Sequence, residues 1–224
     1  MELGRAGSSA YPMFPQYTLG ERVADGCIHL AGVIGSLIAA AALMIIAVQV
    51  LPGDWILPLA VYSTALVVTF ACSAAYNLVM SPRPKELLRR LDHASIFVMI
   101  SGTYTPMALI GMGEAWGIAL FSFVWLITLV GATAKLLMPR AVESITIGLY
   151  LVQGWAAVFA IGPLVSMIPT QALVLIVVGG VLYTIGVLFH LSRSLPYHNA
   201  IWHAFVLVAA SLHYAAVLDT VNLL

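Results

Sequence analysis

The stretch HNAIWH, residues 198–203, places two imidazoles and an amide at the start of an otherwise apolar C-terminal run. Imidazole nitrogen is a preferred ligand of zinc and of similar metal ions. Side chains share a helix face when they are three or four residues apart, and the residue four before His203 is Asn199. His198 is rotated from that face by about 100°. The spacing therefore pairs His203 with an amide and not with the second histidine.

Similar polar groups lie near the corresponding ends of other apolar runs. Glu21, Asp25 and His29 are spaced by four, so they share one face of the first helix. Two further apolar runs place a serine, an asparagine and an aspartate at the same depth in the membrane. Ionisable groups are costly in lipid, so we expect all of these side chains to face the interior and to pair with one another. The predicted pocket comprises Glu21, Asp25, His29, Ser73, Asn77, Asp92, His198, Asn199 and His203.

Several of these residues also have a purely structural interpretation. Glu21 and Asp25 would favour the positive end of the helix dipole, and His198 would suit the membrane interface. Asp92 would pair with a neighbouring arginine in a solvated contact of little consequence. The agreement in depth of the four residues that lie a turn or more inside favours a shared functional pocket. They are His29, Ser73, Asn77 and His203.

The composition predicts the elements that must position these groups. Hydrophobic residues make up 62% of the 224 residues, charged residues only 8%, and the mean hydropathy is +1.04, whereas a soluble domain carries about 25% charged residues. Seven continuous apolar runs are long enough to cross a bilayer as helices, and they do not alternate as the strands of a barrel would. The expected runs are residues 27–50, 55–78, 94–112, 115–134, 144–164, 172–189 and 200–218.

This pattern predicts an all-α, polytopic membrane protein with a seven-helix domain over residues 21–224. Residues 1–20 lack the apolar segment of a signal peptide and are interpreted as a flexible or interfacial tail. The zero net charge gives no electrostatic footprint for nucleic acid, so membrane lipids are the expected partners.

The distribution of positive charge predicts the orientation. All nine Lys and Arg residues fall on the side of the membrane that holds the N-terminus, and the other side has none. By the positive-inside rule, the N-terminus is cytoplasmic and the C-terminus lies outside. The predicted pocket then faces the cytoplasm.

Three stretches of the chain resemble the haemolysin III family, the bacterial branch of the progestin and adipoQ receptor superfamily, which is similar to alkaline ceramidases. The stretches are CSAAYN (72–77), RRLDHASIFVMISGTYTPM (89–107) and LPYHNAIWHAFVLVAASLHYAAV (195–217), and the first-helix pattern from Glu21 to His29 fits as well. The resemblance covers essentially the whole chain. It implies a seven-helix protein of the bacterial inner membrane with a cytoplasmic N-terminus and a zinc site on the cytoplasmic side.

The resemblance also implies roles for individual residues. Ser73 matches the family's serine, Asp92 its acid beside the zinc and His203 its last histidine ligand. The other two histidine positions carry Asn77 and Asn199, and an amide oxygen is a poor substitute for an imidazole. Zinc would therefore be bound weakly at these positions, and an amide hydrogen-bond network would stand in its place. A rearranged site using His203, Asp92, His29 and His198 is the alternative.

Three functions follow from these expectations, besides a proton-relay or transporter role through His29, Asp92 and His203, for which the sequence has no convincing internal repeat. The first is a sensor or regulator of membrane lipid state and energetics with a degenerate zinc site and a lipid or fatty-acid ligand in the bundle. The second is a zinc-dependent lipid amide hydrolase in which Asp92 serves as base and Ser73 as hydrogen-bond donor. The third is the pore formation that the family name suggests, which the strongly apolar spans do not favour.

Overall fold

The computed structural model describes residues 17–139 and 141–221, and within them every regular element is helical. The prediction of a tail over residues 1–20 falls mostly outside the described residues, as do Arg5 and Arg140. The eight α-helices are α1 Leu19–Val50, α2 Ile56–Leu78, α3 Pro82–Pro106, α4 Glu114–Leu137, α5 Glu143–Gly154, α6 Ile161–Met167, α7 Thr170–Leu191 and α8 His198–Thr220.

Seven helical segments of the described chain are long and apolar enough to cross a membrane, which confirms the predicted seven-span, all-α fold. Six of them are single α-helices or an α-helix with a short extension. The third span continues beyond Pro106 as a π turn over Met107–Gly111. The fifth span, Ile145–Met167, is built from α5, a short 3-10 segment over Ala156–Ala160, and α6.

The fifth span is therefore not one regular α-helix, and the break has two physical causes. Pro163 has no N–H, so it cannot donate the helical hydrogen bond back to residue 159. The Tyr104 hydroxyl from α3 occupies the break, donating to the Gly154 carbonyl at 2.7 Å and accepting from the Ala157 N–H at 3.0 Å. A side chain from another helix thus satisfies backbone groups that a continuous helix would pair internally.

The first helix begins with a capping box that fixes its polar first turns. The Thr18 hydroxyl accepts from the Glu21 N–H, and the Glu21 carboxylate accepts from the Thr18 N–H at 2.8 Å. Because α1 starts at Leu19, eight residues before the apolar run begins, Glu21 and Asp25 belong to the helix itself. Helix α3 likewise starts at Pro82, well before its apolar run.

Helix α3 occupies the centre of the bundle. Of the 18 most apolar consecutive residues of this span, 67% are buried within the protein, a larger share than in any other span of the described chain. It packs on α2 through Gly102, where an added Cβ would lie 2.4 Å from the Ala65 Cβ. Small residues at such a crossing let two membrane helices approach closely.

Helices α7, α8, α1 and α2 continue the packing around one side of the bundle. His213 of α8 packs against Gly179 with its Nε2 3.1 Å from the Ile176 carbonyl oxygen, so it joins α8 to α7. The described Lys and Arg residues all lie at the end of the bundle where α1, α3 and α8 begin. Which face of the membrane this end meets stays a prediction.

Candidate polar and metal-binding site

The acidic start of α1 is joined directly to the start of α8. The Glu21 carboxylate, besides its bond to Thr18, accepts from the Tyr197 N–H at 3.0 Å. Tyr197 precedes α8 in a left-handed conformation with φ of 60°. This contact brings the polar first turns of α1 beside those of α8, so their side chains meet at one level of the bundle.

Asp25 is the centre of that meeting point. Its Oδ1 lies 2.6 Å from Nδ1 of His203, and its Oδ2 lies 3.4 Å from Nε2 of His29. All three residues are buried, and the two imidazole ring centroids are 4.4 Å apart. Each residue offers one ligand atom, and these atoms lie within 4.8 Å of one another. A carboxylate and two imidazoles at this spacing can hold a metal ion.

Two amides complete the network around Asp25. The Asn199 Nδ2 donates to the Asp25 Oδ2 at 3.2 Å and to the Asn77 Oδ1 at 3.2 Å. The Asn77 Nδ2 in turn donates to the Ser73 carbonyl at 2.9 Å. One helix turn of α8 therefore presents both the histidine and the amide that hold the Asp25 carboxylate.

Asp92 lies beside this network and not at its centre. It is buried about three turns into α3, in hydrogen-bond contact with the Ser73 side chain and close to Asp25 and His29. The resemblance implied that Asp92 is the acid of the metal site with His203. In the structure the carboxylate in contact with His203 is that of Asp25.

The remaining predicted residue, His198, lies at the first turn of α8 with its ring 5.9 Å from that of Tyr17. Its Nδ1 is buried and has no hydrogen-bond partner among the described residues. Burial, with the nearby carboxylates of Asp25 and Glu21, raises the pKa of the Tyr17 phenol, so this hydroxyl stays neutral.

These groups line one cavity of about 1700 Å³. It extends into the bundle from the end at which α1, α3 and α8 begin. The side chains near the bundle end are polar, and several cations line the cavity there. Deeper in the bundle the lining is mainly apolar, and most of it comes from α3, the broken fifth span and α7. The predicted residues that line the cavity are Glu21, Asp25, His29, Ser73, Asn77, Asp92, His198, Asn199 and His203.

Sequence reasoning did not identify Asp25 as the acid that contacts His203. The one indication in the sequence was the Asp-x-x-x-His spacing of Asp25 and His29, which places two possible metal ligands on one helix face. The sequence could not show that this face meets His203, because the contact joins residues 178 positions apart. His93 and Tyr76, whose rings are 6.4 Å apart, also line the cavity and were not assigned to it.

The profile of the family described as "Haemolysin-III related" matches residues 18–214, nearly the whole described chain. The chain belongs to the haemolysin III family. It is 29% identical to "Hemolysin-3 homolog" of Bacillus subtilis (strain 168) over 202 residues, 90% of this chain and 95% of the relative. It is 30% identical to "Hemolysin-3" of Bacillus cereus over 198 residues, 88% and 90% of the two chains.

The haemolysin III similarity extends to the wider superfamily. The "Monocyte to macrophage differentiation factor" of Homo sapiens is 28% identical over 167 residues, 70% of this chain and 67% of the relative. No solved structure matches the chain. The expected relationship to haemolysin III and to the progestin and adipoQ receptor superfamily is thus confirmed.

The zinc pattern implied by the haemolysin III resemblance does not fit the residues that this chain carries. That pattern requires imidazoles at positions 77 and 199 together with His203. Here both positions hold amides, and the Asn199 amide donates to the Asn77 oxygen, which is the atom that would have to face a metal ion. Neutral amide oxygens are weak ligands for zinc. A metal ion in this haemolysin III protein requires a different set of donors.

Proposed function

We propose that this haemolysin III protein binds a fatty acid or another single-chain anionic lipid within the bundle, and that it senses or regulates lipid state in the bacterial inner membrane. The observation that carries the proposal is the division of one large cavity into a polar end, lined by cations as well as acids, and a mainly apolar interior. A lipid with one charged group and one acyl chain has the same division of chemistry.

The two ends of the cavity support this ligand class separately. Arg22, Lys85 and Arg193 line its polar end, and cations at such a position attract anionic lipid headgroups. Met107, Leu164 and Ile176 line its deeper part, where an acyl chain would replace unfavourable water contact with apolar contact. A regulatory function follows because occupancy of the cavity would depend on the supply of such lipids in the surrounding bilayer.

The test is lipid binding by the full-length protein purified in detergent. We expect native mass spectrometry to detect one fatty acid per chain after titration with oleate. Ile100→Trp would fill the apolar part of the cavity and should lower affinity at least about tenfold, since about 1.4 kcal/mol of lost binding suffices for that. Ile34→Trp, on the exposed face of α1, is the matched control and should bind as the unmodified protein does. Equal oleate binding by both variants would contradict the proposal.

A second candidate function is a metal-dependent lipid amide hydrolase. It is favoured by the presence of a potential metal group, Asp25, His29 and His203, and of Asp92 with Ser73 in the same cavity. A divalent metal ion, when bound, would supply Lewis-acid chemistry. Asp92 would accept a proton from water as general base, and the Ser73 hydroxyl would orient Asp92 through their contact.

Hydrolysis of a fluorescent short-chain ceramide by the zinc-supplemented protein would test this second function. Asp92→Asn should lower the rate by roughly 100-fold or more, the usual contribution of a general base. Asp54→Asn, at an exposed position on the opposite end of the bundle, should leave the rate unchanged. Release of fatty acid at the rate of a protein-free blank would exclude the hydrolase and leave lipid binding as the function.

A further inference from the structure

We infer that Asp25, His29 and His203 form a binding site for one divalent transition-metal ion, at donors other than those implied by the family pattern. The three ligand atoms converge on a common point between α1 and α8, within 4.8 Å of one another. Metal–ligand bonds of about 2.0–2.1 Å in a tetrahedral site place neighbouring ligand atoms roughly 3.3 Å apart. The Asp25 oxygens are 2.6 Å and 3.4 Å from the two imidazole nitrogens that face them, so small side-chain adjustments suffice.

The position of His29 is an independent indication of a ligand. Its side chain is 3% exposed, and its Nε2 points at the Asp25 carboxylate without forming a hydrogen bond to any described residue. A buried polar atom without a hydrogen-bond partner is uncommon in folded proteins and calls for an explanation. Coordination of a metal ion supplies one, because the lone pair of this nitrogen would then bind the ion.

Two amides stand at the family's ligand positions and hold the proposed carboxylate donor. Asn199 and Asn77 stand at two family ligand positions, but their amides bond to each other, and the Asn199 Nδ2 also donates to the Asp25 Oδ2. Outer-shell hydrogen bonds of this kind orient a ligating carboxylate. The chain thus lacks two imidazole donors and has instead a carboxylate held in place by the amides that replace them.

The donor set indicates the class of metal. Two imidazoles and one carboxylate bind zinc with a coordination position left open, and the same set also serves iron(II). All three donors are buried but line the cavity, so an open position is accessible from it. The inference does not depend on the lipid ligand, since metal binding can be measured in lipid-free detergent solution.

The test uses full-length protein in detergent, stripped with a chelator and titrated with Co²⁺. We expect one Co²⁺ per chain by elemental analysis, visible d–d absorption, and displacement by Zn²⁺. Asp25→Asn should abolish the absorption while preserving the size of the side chain, and His29→Gln should do the same. Asn77→Ala, which alters a family ligand position and no proposed donor, should retain stoichiometric Co²⁺. Asn199→Ala should weaken binding about 10- to 100-fold through the loss of carboxylate orientation.

Two results would overturn the inference. One is the absence of stoichiometric metal in the unmodified protein. The other is Co²⁺ binding that survives both Asp25→Asn and His29→Gln but is lost in Asn77→Ala, which would return the metal to the family positions. Size-exclusion chromatography and thermal melting identify variants that fold, and His29→Gln decides the question if Asp25→Asn does not fold. His203 is left intact because both donor sets include it.

Discussion

The side-chain amide of Asn199 donates to the side-chain oxygen of Asn77 across 3.2 Å, joining α8 to α2. The second bond of the same Asn199 amide group holds the Asp25 carboxylate of α1. The two asparagines are therefore parts of one hydrogen-bond network, and the chemistry at either position depends on the other. Substitutions at both positions should therefore change which side chains can bind a metal ion.

Restoring histidine at both amide positions should create a second mode of metal binding. Asn77→His with Asn199→His gives three imidazoles with His203, a donor set that zinc favours. In an Asp25→Asn background, where the proposed site has lost its carboxylate, we expect this double substitution to recover stoichiometric Zn²⁺ by elemental analysis. Asn77→His alone in the same background is the control and should not recover it. Zinc that stays absent from the triple variant would show that the two positions cannot converge on a metal ion.

Removal of the Asp25 carboxylate should destabilise the metal-free protein. Asp25→Ala leaves a buried imidazole and an amide N–H without their partner, and breaking a buried pair in this way costs about 3 kcal/mol. The measurement is the free energy of unfolding in mixed micelles with chelator present. Asp54→Ala, at an exposed aspartate on the opposite end of the bundle, should change it by less than about 0.5 kcal/mol. Equal effects of the two substitutions would contradict the central position of Asp25.

The break in the fifth span should depend on a single hydroxyl. Tyr104→Phe removes the group that pairs with the Gly154 carbonyl and the Ala157 N–H, and it should lower the free energy of unfolding by about 1–3 kcal/mol. Tyr183→Phe, at a tyrosine that packs edge-on against His213, is the isosteric control with a smaller expected effect. A neutral Tyr104→Phe variant would indicate that water or the helix itself satisfies those backbone groups.

The crossing of α2 and α3 should not accept a larger residue. Gly102→Ala would place a methyl group 2.4 Å from the Ala65 Cβ, so the helices must separate, at a cost of about 1–3 kcal/mol. Gly35→Ala, on the open face of α1 where an added Cβ meets nothing within 4 Å, should be neutral or stabilising by up to about 1 kcal/mol. Unfolding titrations of both variants under identical detergent conditions give the comparison, and a destabilised Gly35→Ala beside a neutral Gly102→Ala would refute it.

The positive-inside pattern predicts which loops a membrane-impermeant reagent can reach. In a background with Cys27 and Cys72 replaced by serine, Asp54→Cys should react with an impermeant maleimide in intact spheroplasts. Arg193→Cys should react only after lysis, because the cationic end of the bundle is expected to face the cytoplasm. Labelling in the opposite order would reverse the orientation and place the cavity entrance outside.

The broken fifth span illustrates what the sequence could not predict about the fold. Residues 144–164 form a continuous apolar run, and hydropathy does not distinguish an unbroken helix from one interrupted at Gly154. The interruption is stabilised by the Tyr104 hydroxyl, 50 positions away, which α3 holds against it. The number of spans was predictable since each needs only length and apolarity.

For the site, the sequence alone determined which side chains share a depth and a helix face. Helical periodicity sets the Asp25 and His29 face of α1 and pairs Asn199 with His203 on α8. Only the tertiary structure decided that Asp25, and not Asp92, contacts His203, and that Asn199 bonds to Asn77. The reason is physical: local spacing fixes directions around one helix axis, whereas contact between helices depends on how those axes pack and rotate against each other.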